Sequence, residues 1–166
     1  MAYAKEIDSQ FFAKEVGMAW LVFSQEFGNT PEGLARLEKC RWRKGELIFD
    51  TLKEKLNIPP GSDPYTVAKT VADYITGTGY AKIEIHKVSD TELWHDRWGG
   101  SIVRPMFQKL RLQSIWVSPR PADALLYAAL KKLCNVKVET APVPQEVQEG
   151  LPKGVERRLW RLSPLN

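Results

Sequence analysis

Residues 81–98 read AKIEIHKVSDTELWHDRW, and how this stretch folds decides what the rest of the chain packs against. Ala81, Ile83 and Ile85 alternate with Lys82, Glu84 and His86, the two-residue period of a half-buried strand. Ser89-Asp90 suits a tight turn, and residues 91–98 supply a returning strand, so a β-hairpin is expected. A two-residue turn sets Ile85 opposite Trp94, Ile83 opposite Asp96 and Ala81 opposite Trp98. The other face then pairs His86 with Leu93, Glu84 with His95 and Lys82 with Arg97. In that register the isoleucines and both tryptophans share the buried face. His95 and Asp96 point to opposite sides and cannot work as a dyad.

Outward from the hairpin, the period changes. Residues 9–27 are dense in apolar side chains, lack proline and stop at Gly28-Asn29, as a helix with a broad apolar face would. Thr30-Pro31-Glu32 starts a long helix in which Leu34, Leu37, Arg41, Ile48, Leu52 and Leu56 recur at helical spacing. Gly45 interrupts it, which either a close helix crossing or a bend would explain. Asp63-Pro64 opens a third helix through Val67, Ala68, Val71 and Ile75. Beyond the hairpin, 102–112 reads as a possible short helix despite Pro105, and SPRPADALLYAALKKLC as a firmer one. NVKVETAPVP and GVERRLWRLS complete the chain as two strands, joined by the loop-like APVPQEVQEGLPKG. The order ααα-ββ-α(α)-ββ predicts an α+β fold: N-terminal helices packed on a largely antiparallel sheet. A single domain over 1–166 is expected, with 1–29 as a possible dimerisation element and 30–166 as the core.

Composition limits the function. The chain has 166 residues, 43% hydrophobic and 27% charged, an ordinary balance for a globular protein with its own core. No apolar run approaches membrane-spanning length, and MAYAKEIDSQ carries acids where an export signal needs an apolar core. The expectation is a cytoplasmic protein without a membrane partner. Cys40 and Cys134 are too few for a disulfide scaffold and are expected to be buried thiols. A net charge of +4 and a pI near 9.1 admit nucleic acid. The basic residues are interspersed with acids, however, and VERRLWRL alternates like a strand with a wet face, so that partner is not expected.

Six tryptophans, at 20, 42, 94, 98, 116 and 160, fall in nearly every expected element and point to an aromatic-lined pocket. Trp42, Trp94 and Trp98 are its candidate walls. Asp96, an acid among tryptophans, either caps a backbone or meets a ligand. Arg97 and Arg104 could hold a ligand carboxylate in a bidentate contact. His95, with Glu84 opposite and His86 diagonal, is the candidate for acid–base chemistry, and the three together are the alternative metal set. No cofactor is expected.

CRWRKGELIFDTLKEKL, DPYTVAKTVADYI, AKIEIHKVSDTELWHDR and ADALLYAALKKLCNVKVETAPVPQ followed by GVERRLWRL appear in an order that resembles one group of domains. These are the 4-vinyl reductase domains and the related L-2-amino-thiazoline-4-carboxylic acid hydrolase-like proteins. The resemblance implies helices and an antiparallel sheet around a small-molecule pocket, in a sensor or accessory binder that often dimerises. Some such proteins carry cysteines after the second hairpin strand and near the last strand. Here those places read HDRWGGS and KGVERRLWRL, so no family catalytic residue is carried over. The leading expectation is a homodimeric domain, joined through its N-terminal helices, that binds a small hydrophobic or aromatic ligand. The alternative is a hydrolase of a small cyclic amide or thiazoline.

Overall fold

Thr30 and Pro31 start the long helix as their sequence predicts. The Thr30 hydroxyl accepts from the Gly33 amide at 3.1 Å, and its carbonyl accepts from Leu34 at 2.9 Å. This is a computed structural model, and it describes residues 30–98 and 121–165 together with 19, 22, 23 and 25–28. The remainder of the expected helix 9–27, the segment 102–112, Trp20, Trp116 and Arg104 lie outside the described residues.

Two compact units divide the chain: Met1–Cys40 with Ile102–Ser118, and Arg41–Ser101 with Pro119–Asn166. In the first, residues 22, 23 and 25–27 are helical, and Val22, Phe23, Phe27 and Leu34 are exposed. The second contains the whole sheet. Its elements begin within α1 (Pro31–Leu56), followed by α2 (Pro64–Gly77), β1 (Ile83–Lys87) and β2 (Glu92–Trp98). Then come α3 (Pro121–Cys134), β3 (Val136–Ala141), a short α4 (Gln145–Glu149) and β4 (Val155–Pro164). The fold is α+β. The helix α4 lies in what reads as loop sequence.

The strands form one antiparallel sheet in the order β1-β2-β4-β3. α2 packs on β1 and on α3, and α3 packs on β3. Asp63 caps α2 by accepting from the amides of Tyr65 and Thr66, and the helix buries Val67, Ala68, Val71, Ala72 and Ile75. These residues meet Ile83, Ile85, Leu93, Trp160 and Leu162 from the sheet's inner face and Leu126 and Leu130 from α3 in one apolar core. Gly45 is explained by a close crossing. A Cβ there would lie well inside van der Waals distance of the Ala124 carbonyl on α3.

The hairpin register departs from the expected one by a single residue. Ile83 faces Arg97, Glu84 faces Asp96, Ile85 faces His95 and His86 faces Trp94. The cause is the turn, which takes three residues rather than two. Val88 and Ser89 both donate to the Glu92 carbonyl at 3.0 Å, and the Ser89 hydroxyl accepts from the Thr91 amide. A slip of one residue exchanges the faces of the whole strand. Leu93, His95 and Arg97 therefore join the isoleucines inside, while Trp94, Asp96 and Trp98 lie on the outer face with Glu84 and His86. His95 and Asp96 still point to opposite sides. Cys40 is exposed and Cys134 half-buried, so the expected pair of buried thiols is corrected as well.

Candidate functional site

Three arrangements in the sheet-bearing unit hold chemistry. The first is a polar cluster on the inner face. His95 is 1% exposed, and its ring lies flat against Trp160, with centroids 4.4 Å apart. Its Nε2 is 3.6 Å from Asp123 Oδ1 on α3, and Arg97 Nη1 is 4.0 Å from the same oxygen. Arg41 of α1 is also buried, and its guanidinium lies over the Trp42 ring at 4.8 Å. Burial first, with Arg41 second, brings the Lys44 amine down to about 8. Burial also pushes the Tyr80 and Tyr127 phenols up to about 12.

The second arrangement lies on the outer face. Arg157 grips Asp96 with both arms of its guanidinium, Nε to Oδ1 at 2.6 Å and Nη2 to Oδ2 at 2.5 Å. The same guanidinium lies over Trp94 at 4.2 Å, and the Lys82 ammonium lies over Trp98 at 3.9 Å. His86 Nε2 reaches Asp96 Oδ2 at 3.3 Å and Glu84 Oε2 at 3.8 Å. Asp96, only 3% exposed, thus has an ionic partner in place.

The third is a cleft of about 170 Å³ between α1, α3 and β3. Trp42 and Tyr127 line it, their rings stacked with centroids 5.0 Å apart. Val136, Val138, Ala128 and Leu165 give it apolar walls, and Glu46, Lys131 and Lys137 are its charged groups. Lys131 pairs with Glu46 at 2.8 Å, joining α3 to α1 beside the cleft. Tyr127 continues the aromatic contact inward, edge-on to Trp160 at 4.9 Å, so one line of rings runs from the cleft to His95. A wider hollow of about 480 Å³ lies against β3 and β4, but its Gln148 already bonds Val155 and Arg157, and its Arg158 bonds Glu156.

The candidates read from the sequence are therefore distributed. Trp42 lines the cleft. Arg97 lies in the inner cluster beside Asp123. Trp94, Asp96 and Trp98 share the outer face, and Arg104 lies outside the described residues. His86 and Glu84 are outside the sheet and His95 inside it, so the metal set is not assembled. Among the described residues no group of three or more His, Cys, Asp or Glu is placed to hold a metal ion. Nor is any described helix long and apolar enough to cross a membrane.

Asp123, Tyr127 and Arg157 were not singled out by the sequence. Asp123 and Tyr127 carried a usable signal: they are four apart in PADALLYAAL, so an acid and a phenol share one face of an otherwise apolar helix. Arg157 carried none, being one arginine of three in an alternating strand. No family model and no curated protein matches the chain.

Proposed function

We propose that this protein is a small-molecule-binding domain, a sensor or accessory binder, that takes a flat hydrophobic or aromatic ligand in the cleft over Trp42 and Tyr127. The observation that carries this reading is the ring pair beside apolar walls, with Lys131 at the rim. Stacked aromatic surface favours a planar ligand. Lys131 at the rim, which a carboxylate would share with Glu46, favours one that ends in a carboxylate. At about 170 Å³ the cleft is smaller than the sites of drug-sized molecules, which start near 300 Å³. The ligand is accordingly one or two rings, not a tetrapyrrole. The protein is read as a homodimer of the reducing cytoplasm, a setting that suits its two free thiols.

Titration of the protein with a panel of aromatic carboxylic acids and tetrapyrroles, followed by tryptophan fluorescence and thermal shift, tests this. Small acids are expected to quench and stabilise the protein, and Trp42→Ala is expected to abolish both responses. A flat response across the acids overturns the reading.

A second reading, a hydrolase of a small cyclic amide or thiazoline, rests on one observation, the buried His95–Asp123 pair at 3.6 Å. A carboxylate beside an imidazole supplies the partners of a general-base arrangement, although at 3.6 Å the two are not hydrogen-bonded. Adding a thiazoline carboxylate to the panel and assaying for ring opening decides it. Turnover lost in a folded His95→Gln variant supports the hydrolase, and absence of turnover in the native protein removes it.

A further inference from the structure

Strand β3 is one edge of the sheet, and its backbone can be read position by position. The Leu165 amide donates to the Asn135 carbonyl at 2.9 Å, which makes that pair hydrogen-bonded. Alternation along the antiparallel register gives Lys137, Glu139 and Ala141 to β4. The amides and carbonyls of Val136, Val138 and Thr140 therefore point away from the sheet. Pro164, opposite Val136, has no amide to donate, which fits this assignment. The opposite edge differs: there the Thr76 hydroxyl accepts from the Ile83 amide and donates to the Ile83 carbonyl. Among the described residues no hydrogen bond of that kind covers the outward groups of β3.

The side chains of this edge are complementary to themselves. Lys137 and Glu139 flank Val138 on the outer face and are exposed. In one chain they pair with each other along the strand at 2.9 Å, and Glu139 also lies across from Arg161 of β4. An antiparallel copy related by a two-fold axis through Val138 would set Lys137 of each chain opposite Glu139 of the other. The same axis places the outward groups of Val136, Val138 and Thr140 opposite those of Thr140, Val138 and Val136. That is the hydrogen-bonded spacing an antiparallel pair needs, with the charges at the closer, non-bonded positions. A two-fold interface requires such self-complementarity.

We propose that a second copy of this chain pairs antiparallel with β3 about Val138, making one eight-stranded sheet from two four-stranded ones. Pro142 and Pro144 confine the pairing to the strand itself. Val136, Lys137 and Val138 also line the cleft, so the partner's strand runs along the cleft's border.

The test is the mass of the full chain in solution across a wide range of concentration. The native protein is expected to be a dimer. Val138→Pro removes an amide that the intrachain ladder does not use, and is expected to give a folded monomer. Lys137→Glu and Glu139→Lys each bring like charges face to face and are expected to weaken the dimer about tenfold. Mixed together, those two variants have opposite charges facing, and are expected to form a mixed dimer of near-native affinity. If Val138→Pro fails to fold, the charge variants and their mixture decide. A native monomer at every concentration overturns the proposal. So does a dimer that all three variants leave unchanged, which would instead assign pairing to another surface such as Val22, Phe23 and Phe27. Neither result bears on the fluorescence titration of the cleft.

Discussion

Asp96 and Arg157 make the clearest case for what one residue does here. The carboxylate is almost wholly out of water, and two charge-assisted hydrogen bonds hold it. Removing one partner leaves the other as a poorly solvated charge, which costs far more than the pair contributes. Asp96→Ala is expected to lower the unfolding free energy by about 2–4 kcal/mol, read by urea denaturation. Arg161 also meets a carboxylate, Glu92 at 3.3 Å, but its side chain is 62% exposed. Arg161→Ala is expected to cost under about 1 kcal/mol in the same measurement. The sequence revealed that Asp96 was unusual, an acid bracketed by tryptophans, but not what it meets. Its partner is 61 positions away, and alternation alone does not rank three arginines in one strand.

At the scale of elements, the helices were legible because their signals are local. A capping Thr30 or Asp63, a proline at the first position and an apolar stripe all lie within a few residues of one another. The hairpin was legible as a hairpin and illegible in register. Ser89-Asp90-Thr91 accommodates two turn lengths, and both faces of β2 carry large residues, so burial does not choose between Trp94-Trp98 and Leu93. The choice is made at the turn, where Val88 and Ser89 both donate to Glu92, and it sets His95 and Arg97 towards Asp123 of α3, a meeting that no local pattern contains. Gly45 was likewise visible as an anomaly, and only the crossing of α1 with Ala124 resolves it. Glycine to alanine inside a helix ordinarily gains about 1 kcal/mol. Here the added methyl meets backbone that cannot swing aside, so Gly45→Ala is expected to lose about 1–3 kcal/mol in thermal unfolding.

Across the sheet-bearing unit, aromatic and ionic groups are interleaved, and this gives stability a dependence on alkaline pH. Tyr80 and Tyr127 stay protonated in the folded protein up to about 12, against an ordinary value of 10.0. A group whose folded value is raised stabilises fully below its unfolded value, and that contribution is lost as pH rises through the folded one. Stability is therefore expected to fall between pH 10 and about 12, and Tyr127→Phe to lessen the fall, as read from denaturant midpoints. Lys44, held down to about 8, acts in the opposite sense. Its burden on the fold is relieved as pH rises from there towards its ordinary value, so stability should rise before it falls.

The joint between α3 and β3 carries a last consequence. Asn135 alone separates them, with φ at 54°, a left-handed conformation that asparagine tolerates better than most residues. Tyr127 and Thr140 close the two arms again with a 2.7 Å bond between their hydroxyls. The cleft's long walls are thus two limbs of one short bracket, fixed at the elbow and tied further along. The separation of these two limbs is set at both ends, and Trp42 of α1 closes a third side. On the proposed reading such a site selects by the depth of a molecule more than by its outline: benzoate is expected to raise the thermal midpoint, and its puckered, saturated counterpart of the same length and charge is expected to leave it unchanged.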